Sequence, residues 1–245
     1  MKYLTIDTTT KVSALALAED GKLIAEVFLH TQKMHSERLI PMLDQLLETA
    51  AWKLNDLAFI GVVKGPGSFT GIRIGIATAQ GFSQVLNIPV VGVLSLESLA
   101  WAGFGRSEEI IPILDARKNE WYTAKYHWPE EEQKPLCNTE PCAIEPARWL
   151  EELKSINNRM IFVGDAVLRY SELIKDKLGE QAIILPDYLA LPRGSYSVQS
   201  VWYAWLKTPQ EKDHFSSVEP FYIRPSEAEV TWAKKQEAMK RNEAR

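Results

Sequence analysis

The residue types best suited to chemistry begin with the stretch GVVKGPGSFTGIRIGIATAQGFSQ (61–84), a glycine-rich loop between an apolar run and a helical pattern. Phosphate-binding loops occupy this position. Neither common nucleotide fingerprint fits. A G-x-x-x-x-G-K-[ST] loop needs a lysine after its last glycine, which Gly71 lacks. A G-x-G-x-x-G loop fits Gly65 and Gly67 but meets Thr70 where its third glycine belongs. Amides at a helix N-terminus, with Ser68 and Thr70 as candidate caps, could still receive an anion. The alternative is a loop that needs glycine dihedrals and nothing more.

The other candidates are sparser. Asp7 precedes Thr8, Thr9 and Thr10 at the end of an apolar run, where a carboxylate can contact magnesium-bound nucleotide or cap the turn; with no lysine or second acidic motif in support, the cap is favoured. Asp115 and Arg117 end a later run, and a lone pair of this kind is usually structural. His30, His35, His127 and His214 show no pairing at a helical ligand spacing, so each reads as a structural histidine. Cys137 and Cys142 form a C-x4-C pair with no second pair to complete a zinc site, and read as ordinary thiols in a reducing compartment. No catalytic residue and no metal ligand set emerges.

The elements that must position these residues are legible in part. Residues 3–7, 12–18 and 22–29 read as strands, the last two joined by an Asp20-Gly21 hairpin turn. A helical pattern follows from Ser36, with Leu39, Leu43, Leu46, Leu47 and Ala50 at three- and four-residue spacings; Pro41 belongs in its first turn or marks a kink. A strand (59–63), a helix (72–85), a strand (89–93) and a helix (96–101) complete a βββαβαβα order. In the helix over 72–85, Gly71, Gly75, Ala79 and Ser83 recur every four residues, a stripe that lets another element approach closely, within the chain or across a subunit boundary. Ile72, Ile76 and Phe82 are placed against the chain's own sheet. A second set follows: strands at 110–114 and 121–126, a polar excursion (129–146), a helix (146–153), a strand (160–163), a helix (169–178), a strand (183–185) and a helix (198–206).

A chain of 245 residues buries a sizeable core as one large domain or two small ones. Lys+Arg 28 against Asp+Glu 32 gives a net charge of -4, so no basic excess points to independent nucleic-acid binding. The local cluster Lys234, Lys235, Lys240 and Arg241 reads as a solvated helix face in a charged tail. Acidic residues within the first 30 do not suit a signal peptide and no run reaches the ~18 apolar residues of a membrane span, so the expectation is a cytoplasmic chain with no membrane contact.

Several segments carry a family resemblance: IDTTTKVSALAL (6–17), HSERLIPML (35–43), KGPGSFTGIRIGIATAQGFS (64–83), VLSLESLA (93–100), ILDARKNEWY (113–122) and EPFYIRPSEAE (219–229). In this order they resemble the bacterial TsaB family, also called YeaZ. The resemblance implies the two-lobed α/β fold of the actin, hexokinase and Hsp70 superfamily (ASKHA). The expected divisions are a first half over 1–103, a second over 104–225 and a charged tail over 226–245. It further implies a part in making N6-threonylcarbamoyladenosine at position 37 of tRNAs that read codons beginning with A. In that pathway TsaC makes threonylcarbamoyl-adenylate, TsaD transfers the group to tRNA, the ATPase TsaE joins them, and TsaB binds TsaD without catalysing. ATP and metal are expected on the partner subunits, with tRNA reached through the complex.

The TsaD metal ligands form an H-x-x-x-H pattern, and setting it on VLSLESLA places Ser95 and Leu99 where the histidines would be. Leucine cannot ligate a metal and a lone hydroxyl replaces imidazole poorly. The expected partner-binding residues are His35, Leu39, Leu43 and Leu46 on the first helix with Gly71, Gly75, Ala79 and Ser83 on the second. The same surface is expected to pair with itself when TsaD is absent. Asp7, Thr8 and Thr9 fall where superfamily kinases keep their first phosphate loop and, with Ser68 and Thr70 of the glycine loop, are the candidate nucleotide or anion contacts; the competing function is a small-molecule kinase or a metal-dependent, glycoprotease-like hydrolase.

Overall fold

The computed structural model describes residues 1–31, 34–207 and 218–225, with Trp232. Alternating apolar residues build an N-terminal meander of β1 (Lys2–Asp7), β2 (Val12–Glu19) and β3 (Lys22–His30). Asp20 and Gly21 join β2 to β3 with φ of 50° and 77°, the positive values that a two-residue hairpin turn requires. The chain continues through α1 (His35–Thr49), β4 (Phe59–Val63), α2 (Phe69–Leu86), β5 (Val90–Val93) and α3 (Ser95–Ala100). Because β4 and β5 run parallel to β1, the sheet order is β3-β2-β1-β4-β5. Pro41 lies in the second turn of α1 rather than the first, on the exposed side, where the Glu37 carbonyl it leaves without a helical partner can meet water.

The second set repeats the plan. It comprises β6 (Glu109–Asp115), β7 (Trp121–Thr123), β8 (Tyr126–His127), β9 (Leu136–Cys137), β10 (Cys142–Ile144), α4 (Pro146–Leu153), β11 (Met160–Val163), α5 (Val167–Leu178), β12 (Ala182–Ile184), α6 (Asp187–Ala190) and α7 (Gly194–Lys207). Its main path runs β10-β7-β6-β11-β12, again with the first strand central, an antiparallel meander on one side and two parallel strands on the other. Two expectations change here. The run 121–126 breaks into β7 and β8, and the polar excursion supplies β10, the edge strand of this sheet, besides β9.

Each sheet is covered on both faces. Leu4 and Ile6 face α1 and α2, whereas Tyr3 and Phe59 face α7, with Phe59 stacked on Trp205 at 4.2 Å. In the second sheet Ile111 and Phe162 meet α4 and α5, while Ile110 and Leu114 meet Leu96 and Leu99 of α3. The inner helices are therefore exchanged: α7, from the second half of the sequence, covers the first sheet, and α3 covers the second. A cut at residue 103 separates the two sheets but not their helical layers. The expected tail over 226–245, with its lysine cluster, lies outside the described residues apart from Trp232.

Candidate functional site

Between the lobes lies a cleft of about 880 Å³. Thr9, Thr10 and Lys11 from the β1–β2 turn, His35 and the loop 66–70 form one wall; Asp115 to Lys118, Tyr122 and Asp165 form the other. The His35 Nε2 lies 2.8 Å from the Thr10 carbonyl, which can only accept, so that nitrogen carries a proton, and Nδ1 lies 2.6 Å from the Ser13 hydroxyl. His35 thus fastens the start of α1 to the β1–β2 turn. On the far wall the Asp115 amide donates to Asp165 Oδ1 (3.1 Å) and the Arg117 amide to Asp115 Oδ1 (2.8 Å). Burial chiefly, with the neighbouring Asp115 carboxylate, pushes the Asp165 carboxyl up to about 6, against the opposing pull of its hydrogen bonds and of Lys11. Asp115 and Asp165 are 50 residues apart in sequence, so spacing carried no sign that they meet.

The expected nucleotide contacts divide. Thr9, Ser68 and Thr70 line the cleft. Asp7 and Thr8 do not: Asp7 Oδ1 accepts from the Thr9 amide (2.9 Å) and hydroxyl (2.7 Å), and burial holds its carboxyl above the usual range. The Thr8 hydroxyl donates to the Gly71 carbonyl, while Ser68 caps α2 by accepting from the Gly71 amide. Asp7 thus caps its turn, as favoured above.

The expected partner-binding residues need correction. Leu39, Leu43 and Leu46 are buried in the first-lobe core, and burial of each is worth about 1.5–3 kcal/mol to the fold, so α1 cannot turn them outward cheaply. Gly71, Gly75, Ala79 and Ser83 also face inward. A Cβ on Gly71 would stand 2.0 Å from the Thr8 carbonyl oxygen, and one on Gly75 2.6 Å from the Thr8 hydroxyl. Gly71 and Gly75 admit the chain's own β1–β2 turn, Ala79 packs in the first-lobe core and the Ser83 hydroxyl donates to the Ile88 carbonyl, so the small stripe is taken up within the chain. The helices present outward Ile40, 50% exposed, and Pro41 beside Glu37, Asp44 and Gln45 on α1, and Arg73, Ala77, Gly81, Gln84 and Val85 on α2, Val85 being 83% exposed. The signal was available: in an amphipathic helix the apolar stripe belongs to the core by default, and the surface is what lies opposite.

At the two positions that the resemblance sets against the TsaD histidines, the Ser95 hydroxyl donates to the Pro66 carbonyl and Leu99 is 1% exposed among core residues. These side chains do not fit a metal. Among the described residues no group of three or more His, Cys, Asp or Glu is placed to hold one, and Cys137 and Cys142 are free thiols. His30 is exposed, His127 is half-buried on β8, and His214 lies outside the described residues.

Two sheets of one order, exchanged inner helices and a cleft between the lobes define a two-lobed α/β protein of the actin, hexokinase and Hsp70 type. A family model described as "TsaD: tRNA N6-adenosine threonylcarbamoyltransferase" matches residues 23–232. The tRNA threonylcarbamoyladenosine biosynthesis protein TsaB of Bacillus subtilis is 33% identical over 236 residues, covering 96% of this chain and 100% of the relative. TsaB of Escherichia coli K12 is 29% identical over 197 residues, 76% of this chain and 82% of the relative. The structure of YeaZ from Pseudomonas aeruginosa superposes with a TM-score of 0.73 at 25% identity, covering 90% of this chain and 99% of that one. The chain belongs to this TsaD-related family, and within it to the TsaB (YeaZ) branch.

Proposed function

We propose that this chain is the non-catalytic, cytoplasmic partner of TsaD in forming N6-threonylcarbamoyladenosine at position 37 of tRNAs that read codons beginning with A. The observation that carries the non-catalytic part is the pair Ser95 and Leu99. One side chain is committed to the Pro66 carbonyl and the other to the core, where a TsaD-type centre would need two imidazoles. Nucleotide turnover and metal chemistry then fall to the partner subunits TsaD and TsaE, and tRNA is reached through the assembly.

The outward faces of α1 and α2 are the docking surface in this reading. Ala77 and Gly81 leave room for close helix approach, and Ile40, Pro41 and Val85 supply apolar area. Ala77→Trp is expected to lower capture of purified TsaD tenfold or more with thermal unfolding unchanged; full capture by this variant would move the docking surface elsewhere. In the absence of TsaD the same face would pair with a second copy, visible as concentration-dependent sedimentation.

A second reading concerns the cleft. Thr9, Lys11, Ser68 and Thr70 line a space large enough for a nucleotide, which favours an anion or nucleotide contact beside the partner role. Calorimetric titration with ATP or ADP tests it, and heat unaffected by Lys11→Ala would contradict it.

A further inference from the structure

The segment 218–225 crosses from one lobe to the other. On the first lobe Val218 is buried in the core, its carbonyl accepts from Gln80 Nε2 (3.2 Å), and the Phe221 amide donates to the Lys64 carbonyl (2.8 Å). Tyr222 stacks on Phe69 at 4.6 Å between ring centres and its hydroxyl accepts from Arg73 Nε (3.0 Å); the same guanidinium lies 3.9 Å over the Phe69 ring. Phe69, Arg73 and Gln80 all belong to α2. Two residues on, Arg224 reaches the second lobe: Nη2 donates to the Ala116 carbonyl (2.8 Å), Nη1 pairs with Glu120, and the guanidinium lies 5.7 Å over the Tyr122 ring.

The turn that Arg224 grips is strained. Arg117, Lys118 and Asn119 have φ of 60°, 51° and 57°, three consecutive non-glycine residues in the left-handed region. Such a conformation costs about 1–2 kcal/mol per residue and persists only where the surroundings over-determine it. Within the turn the Ala116 amide donates to Glu120 O, the Glu120 amide to Arg117 O and the Arg117 amide to Asp115. Arg224 closes it from outside by holding both ends, Ala116 and Glu120. The turn forms part of the cleft wall, and so do Phe221 to Pro225.

We propose that residues 218–225 are an interlobe strap that couples the first turns of α2 to the left-handed turn 117–119 across the cleft, so that disturbance at either end is felt at the other. Its stiffness comes from the aromatic and guanidinium stack at one end and the forked Arg224 contact at the other, separated by a single residue. A partner seated on the outer face of α2 would then bear on the geometry of the cleft. That consequence rests on the docking reading above; the coupling itself does not.

Hydrogen exchange on the full chain, without any partner, tests the coupling separately. Tyr222→Ala touches only the α2 end and Arg224→Ala only the turn. Each is expected to speed exchange at least threefold at both ends, in peptides spanning 115–121 and 69–74, because a coupling free energy acts equally in both directions. Should either chain fail to fold, Tyr222→Phe and Arg224→Lys, which keep ring and charge while removing the hydroxyl and the fork, are read in the same way. Faster exchange confined to the substituted end in both variants would overturn the proposal and leave two independent local contacts.

Discussion

The Thr8 hydroxyl donates to the Gly71 carbonyl at 2.7 Å, and the Thr8 carbonyl oxygen stands 2.0 Å from where a Gly71 Cβ would be. The turn after β1 is thereby pressed into the first turn of α2. Gly71→Ala should destabilise the chain by about 1–3 kcal/mol through overpacking against backbone that cannot yield. Thr8→Val, which keeps the shape and removes the donor, should cost about 0.5–1.5 kcal/mol through the lost hydrogen bond, the Gly71 carbonyl keeping its helical partner. Denaturant unfolding measures both; neutral behaviour in either would mean that the turn and helix are not held together as described.

Glycines of α2 separate by face. Gly81 is exposed with nothing near its absent Cβ, so Gly81→Ala should stabilise the helix by about 0.5–1 kcal/mol. Gly75→Ala, directed at the Thr8 hydroxyl, should destabilise it. Opposite signs for two chemically identical substitutions in one helix would be read directly from melting temperatures, and equal signs would contradict the inward placement of the small stripe.

Asp165 predicts a pH dependence. Its folded pKa, about 6, lies above the value of ~3.9 for an unfolded aspartate, so the folded chain binds the proton more tightly. The associated stability is present in full below the unfolded value and is lost as pH rises through about 6. Asp165→Asn, which can still accept from the Asp115 amide, should therefore be more stable than the parent chain above pH 6 by about 1–3 kcal/mol, with the advantage gone near pH 4. Thermal melts across pH 4 to 8 give the difference; a constant offset would mean that Asp165 titrates normally.

The first lobe was readable because its signals are local: the Asp20-Gly21 hairpin, the leucine spacing after Ser36 and the glycine loop before a helix each lie within a few residues. What each face meets was not local. A stripe of small residues states that something comes close, but the choice between Thr8 of the same chain and a helix of another depends on the path of the β1–β2 turn, more than 60 residues away in sequence. Asp115 and Asp165 are likewise brought together by the pairing of β6 with β11, and Arg224 meets Ala116 only through the path of residues 218–225 across the cleft. β10 escaped notice because Cys142–Ile144 is a three-residue edge strand inside a polar segment, too short for alternation to register.

The most direct test of the partner role is formation of N6-threonylcarbamoyladenosine on tRNA by purified TsaC, TsaD and TsaE, with threonine, bicarbonate and ATP, with and without this chain. Product only when the chain is present, and none from the chain in the absence of TsaD, is the predicted result. Equal product without the chain, or product from the chain in place of TsaD, would contradict a required and non-catalytic partner.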